Sequence, residues 1–134
     1  MRFSISSFAA AATLAAALLA APGCSCSREP SAADLAAAAV KNYNEAVARL
    51  DFATARTLLL EQDHASLAKL EEFAASRGLL SQAPAEPLAY VVVSSSADGD
   101  RAEVRIRAET LPDSKAMLQI ARLTPSGWKV SLSE

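Results

Sequence analysis

Across Ser81 to Pro87 ("SQAPAEP") the spacing of apolar side chains changes from three-and-four to two. Two prolines in that stretch stop any helix from running through it, so the chain has to change secondary structure there. Upstream, Ala36, Ala39, Val40, Tyr43, Ala46, Val47 and Leu50 form one apolar stripe, with Lys41, Asn42, Asn44, Glu45 and Arg49 on the other face. Ser31 with Asp34 three residues on makes an approximate capping box for this first helix. Asp51 caps a second helix, "FATARTLLL". Asp63 caps a third that runs to Arg77, turns Leu67, Leu70, Phe73 and Ala74 inward and stops at Gly78. Whether the second and third are one bent helix is open at this level.

Downstream the pattern belongs to strands. "LAYVVVSS" (Leu88 to Ser95) is β-rich, and "ADGD" supplies an Asp-Gly hairpin turn. In "RAEVRIRAE", Ala102, Val104, Ile106 and Ala108 alternate with Arg101, Glu103, Arg105, Arg107 and Glu109. Pro112-Asp113 turns the chain into a third strand, Lys115 to Thr124. "PSG" turns it into a fourth, where Trp128, Val130 and Leu132 share the core side. The expectation is an α+β fold: N-terminal amphipathic helices packed on a C-terminal four-stranded antiparallel meander.

The N-terminus follows a different logic. Met1-Arg2 is a short positive region, and Phe8 to Ala21 is apolar apart from Thr13. That run is too short to span a bilayer comfortably, and Pro22-Gly23 ends it, which is the pattern of a secretory signal. Both cysteines follow at once, in "GCSCS". Ala20-Ala21-Pro22-Gly23-Cys24 resembles a bacterial lipobox, in which small residues precede a cysteine that is diacylated before cleavage. This divides the chain into a signal over 1–23, a tether over 24–30 and one domain over 31–134. Cys24 is then an anchor: two or more acyl chains hold a protein firmly where one holds it reversibly. Cys26 is left as a lone thiol; a Cys24–Cys26 disulfide, the alternative, would close a strained ring. By resemblance to Gram-negative sorting, Ser25 after the lipidated cysteine directs the protein to the periplasmic face of the outer membrane.

Composition removes several function classes. The net charge of −2 gives no basic face for a nucleic acid. Removing the signal leaves roughly 111 of the 134 residues, enough for a single core. With 51% hydrophobic residues but 5% aromatic, that core is built from small side chains. One histidine and two tethered cysteines cannot furnish a zinc site. No phosphate loop or Ser-His-Asp order is present, so no cofactor is expected. His64, next to a helix cap, reads as a surface residue, with a general base as the rarer alternative.

The stretch "YNEAVARLDFATARTLL" followed by "GDRAEVRI" and "LTPSGWKVSL" resembles the nuclear-transport-factor-2-like superfamily from about Ala33 to Leu132. That resemblance implies a cone-shaped α+β fold whose curved sheet wraps a long first helix and leaves a pocket between them. Relatives such as ketosteroid isomerase and scytalone dehydratase place acid and base groups in the pocket, but no stretch here reproduces their motifs. Tyr43 and Tyr90 are the residues that could line it, although such tyrosines more often pack at a core edge. Arg105 and Arg107 could receive a carboxylate or an anionic headgroup, or form ordinary sheet-surface pairs with Glu103 and Glu109. The expected role is a lipid-anchored, non-enzymatic binding or interaction module of the cell envelope. Its partners would be the membrane, through the lipid, and an envelope protein or small ligand. A pocket enzyme or carrier of small apolar ligands is the alternative.

Overall fold

Ser31 opens the first helix as its sequence predicts. In the computed structural model, which describes residues 29–82 and 88–134, its hydroxyl accepts from the Asp34 N–H at 3.1 Å. The Asp34 carboxylate returns the bond to the Ser31 N–H at 3.0 Å. Aspartate thus does the work of the usual glutamate in a capping box. The expected signal, Cys24, Cys26 and most of the expected tether lie outside the described residues, as do residues 83–87 of the linker.

Helix α1 (Ala32–Ala48) buries Ala36, Ala37, Ala39, Val40, Tyr43 and Ala46. Four alanines on that stripe let its backbone approach the sheet closely. At its end the Leu50 N–H bonds to Val47 O at 2.9 Å and the Asp51 N–H to Ala46 O at 2.8 Å, the two bonds of a Schellman cap. Leu50 occupies the left-handed position (φ 62°) where glycine is usual. Packing of its side chain against the core offsets a backbone cost of about 1–2 kcal/mol.

Asp51 caps α2 (Phe52–Thr57), as expected, through the Thr54 N–H at 3.2 Å. The chain then extends, and Leu59 forms a parallel bridge to Val130, with Leu60 N–H to Val130 O at 2.9 Å and Val130 N–H to Leu58 O at 2.8 Å. This extended piece and a short 3-10 turn (Glu61–Asp63) separate α2 from α3 (His64–Ser76), so the two are distinct helices. Gly78, at φ 71°, ends α3 as expected.

Two expectations about α3 are corrected. Asp63 makes no side-chain cap; it is 4% exposed, and its Oδ2 accepts from the Leu132 N–H at 2.9 Å. Leu67 and Ala74 are buried, but Leu70 and Phe73 are 42% and 53% exposed. The helix touches the body along a narrow line, held alongside α2 by Arg56–Glu71 at 2.9 Å.

The sheet is an antiparallel meander in chain order: β1 (Tyr90–Asp98), β2 (Arg101–Ala108), β3 (Met117–Thr124) and β4 (Gly127–Ser131). The fold is α+β, with helices first and the four-stranded sheet after, and α1 lies across all four strands. Alternation in β2 is as read: Ala102, Val104, Ile106 and Ala108 are buried on the helix side. Trp128 and Val130 are also buried, but Leu132 is 40% exposed. β4 ends at Ser131, and Asp63 takes the Leu132 N–H. β1 runs three residues past its expected end because a bulge between Val92 and Ser94 shifts the pairing phase. The first hairpin closes on Gly99-Asp100, Gly99 at φ 64°, one residue later than an Asp-Gly turn would.

On the outer face, β-pairing sets Arg101 opposite Arg122. Like charges opposite each other repel. Glu134 lies between them, bidentate to Arg122 at 2.7 and 2.6 Å and 3.6 Å from Arg101. The Arg122 hydrogen bonds hold its carboxyl below the ordinary range.

Candidate functional site

The space between α1 and the sheet, where the family resemblance places a pocket, is filled by side chains. Ala36, Val40 and Ala46 of the helix meet Val104, Ile106 and Ala121 of the sheet, all fully buried. Tyr43 sits in this layer. Burial raises the pKa of its hydroxyl, and the negative charge of nearby Asp63 raises it further. Tyr90, at the start of β1, packs half-buried against the same core. Its backbone N–H donates to Glu45 Oε2 at 3.0 Å. Burial disfavours the Glu45 carboxylate, but that bond and Lys41 at 3.1 Å prevail and hold its pKa below the usual value. Asn44 and Gln119 join helix to sheet, amide to amide, at 2.7 Å. Tyr43 and Tyr90 thus both belong to the packed layer and do not line an open pocket there. The Asp63 carboxylate near Tyr43 is already occupied by a backbone N–H.

An open concave feature lies elsewhere, at the seam between the α2–α3 connection and the β3–β4 turn. It is an open groove of about 610 Å³ lined by Arg56, Leu60, His64, Thr124, Ser126 and Lys129, among others. The parallel bridge at Leu59 creates it, by bringing residues near 60 beside residues near 127. Each cation there has a protein partner. Arg56 pairs with Glu71, and the Lys129 ammonium donates to Thr57 O. His64 Nε2 lies 3.2 Å from Leu59 O, so Nε2 carries the proton and donates. Among the described residues no Ser, Cys, Asp or Glu side chain bonds to the ring, and so no nucleophile–base pair is assembled. Sequence reasoning singled out His64 but missed the groove, because nothing local announces a bridge between positions some seventy residues apart.

The two arginines read as anion contacts are treated differently by the fold. Arg107 reaches Asp113 at 2.6 Å and the carbonyls of Ala108 and Glu109 at 3.2 and 3.1 Å, which fastens β2 to the following turn. Arg105 lies exposed on the outer face opposite Ser94 and Leu118 and has no ion pair among the described residues. They do not converge on one ligand. No cluster that could hold a metal ion, and no helix long and apolar enough to cross a membrane, occurs among the described residues. Comparison with protein-family models, with curated proteins and with solved structures finds no match.

Proposed function

We propose that this chain is a lipoprotein of the bacterial cell envelope, held through acylated Cys24, whose domain serves as a non-enzymatic binding or interaction module. The observation that carries the reading is the N-terminal order of a charge, a short apolar run, small residues and a cysteine. A capped helix begins at Ser31, so a short tether would hang a folded domain directly from the membrane. Ser25 supports the periplasmic face of a Gram-negative outer membrane as the address. The filled layer between α1 and the sheet supports recognition over chemistry: turnover needs an open cavity with paired acid and base groups. A sheet crossed by one long helix is compatible with a nuclear-transport-factor-2-like domain whose pocket has been closed by packing. The rival reading, an acid–base enzyme or apolar-ligand carrier, draws on Tyr43 beside the buried Asp63, a carboxylate that Leu132 already engages.

The test is Cys24→Ala in the native host. Loss of the acyl chains shifts the protein from the membrane to the soluble fraction or stalls its precursor, and intact mass reports the modification. A mature chain with unmodified Cys24 overturns the lipoprotein assignment.

A further inference from the structure

We propose that the outward flank of α3 is a second, non-covalent membrane contact that lays the domain against an anionic bilayer surface. At about 100° per residue, Ser66, Lys69, Leu70, Phe73 and Arg77 fall within about 100° of arc along this helix and its C-cap. All five are exposed, Leu70 at 42% and Phe73 at 53%. Beyond Gly78 a short 3-10 turn (Leu79–Ser81) carries Leu79 and Leu80, exposed at 39% and 45%. Leu70 and Phe73 therefore stand exposed on one side of α3, and Leu79 and Leu80 follow directly after its end. A surface of that kind marks a contact.

Charge selects the occupant. Lys69 flanks the apolar strip on one side and Arg77 closes its C-terminal end, the Arg77 guanidinium lying 5.1 Å from the centre of the Phe73 ring. The acids of the same helix lie outside this arc. Glu71 pairs with Arg56 of α2, and exposed Glu72 lies about 100° round from Phe73 and about 60° beyond Lys69. A strip of Leu and Phe accompanied by Lys69 and Arg77, with both acids outside its arc, matches the boundary between acyl chains and anionic headgroups. Reach is also satisfied. The seven residues from Cys24 to Ser31 span at most ~25 Å, while a domain of this size has a radius of gyration of about 13 Å, so its surface stays at the bilayer. The contact goes beyond lipid anchoring and does not require the acyl chains.

The test uses the full chain with Cys24→Ser and Cys26→Ser and a polarity-sensitive fluorophore on a cysteine introduced by Leu70→Cys. The control carries the fluorophore at Glu103→Cys on the outer sheet face. Vesicles are phosphatidylethanolamine with phosphatidylglycerol, compared with phosphatidylcholine alone, each with and without brominated acyl chains. The N-terminal segment is the same in every sample, so the fluorophore reports its own site. The expected result is a blue shift and bromolipid quenching at position 70 in the anionic vesicles and not at position 103. Adding Lys69→Gln and Arg77→Gln weakens the contact on the order of 30-fold, at about 1 kcal/mol for each cation near the surface. Equal quenching at the two positions overturns the proposal. So does a blue shift that grows with protein concentration and ignores bromolipid, which assigns the strip to a second copy of the chain. Because Cys24 is absent throughout, neither result depends on whether the native chain is acylated.

Discussion

Replacing Asp63 separates two roles that aspartate can play at the head of a helix. A cap would bond the first free N–H groups of α3; the structure instead sends its carboxylate to Leu132, at the end of β4. Serine is as good a cap as aspartate, but its hydroxyl is too short for that reach. If capping were the role, Asp63→Ser would change stability by a few tenths of a kcal/mol. Clasping predicts otherwise. A hydrogen bond to a charged group contributes about 1.5–3 kcal/mol, and the Leu132 N–H is left without that partner. Asp63→Ser and Asp63→Ala should each cost about 2 kcal/mol. Asp63→Asn keeps a carbonyl oxygen at similar reach and should cost about 1 kcal/mol, the difference between a charged and a neutral bond. In a domain of about 100 residues, 2 kcal/mol lowers Tm by roughly 8–16 °C. Urea melts followed by Trp128 fluorescence give the ranking, and hydrogen exchange at the Leu132 amide locates the effect. A serine variant as stable as the parent, or unchanged protection at Leu132, refutes the clasp.

Other consequences are as direct. Trp128→Ala, which empties an aromatic site 8% exposed, should cost about 3–5 kcal/mol in chemical denaturation, a large part of the ~5–15 kcal/mol such a domain has. Tyr43 has a raised pKa in the folded state, so its contribution is intact below the ordinary phenol pKa of about 10 and is lost as pH rises through the folded value. Tyr43→Phe should therefore flatten the alkaline fall in Tm measured from about pH 8 to 11, relative to the parent. Glu45 has a lowered pKa, so the stability its carboxylate contributes is present at neutral pH and fades as pH drops through the folded value. Glu45→Gln should lose stability at pH 7 and converge with the parent in acid, as read by thermal melts.

What the sequence disclosed was decided by neighbours along the chain. The Ser31–Asp34 box, the Asp51 cap and the alternation of β2 each depend on residues within one turn or one pleat, and all three appear in the structure. Leu70 and Phe73 were misread because periodicity gives a helix its apolar side without saying how much of that side a partner covers. Leu132 continued the alternation of Trp128 and Val130, but alternation cannot say where a strand stops. Asp63 carried a cap signature whose carboxylate was claimed by a group 69 positions away. The β1 bulge left its trace as a loss of alternation in "YVVVSSSAD", a pattern that a two-residue period alone cannot place. The groove arises wholly from a long-range bridge. The proposal for Cys24 has a different basis, since a processing signal is read by enzymes as a linear string and is argued from the sequence alone.

The Leu59–Val130 bridge also determines how this sheet meets other chains. An open sheet has two borders, and each is a template on which a foreign strand can grow. Here the middle of the β4 border is spent on Leu58 and Leu60, whose backbone groups take both of Val130's. An incoming strand finds no continuous run of free donors and acceptors there. The β1 border is interrupted by its bulge, which twists the edge and breaks the repeat a flat partner would need. Copies of this domain are thus protected from stacking into fibres by one short parallel pairing on one side and one extra residue on the other. Lengthening the Leu58–Leu60 segment until the bridge opens would expose the first border to growth.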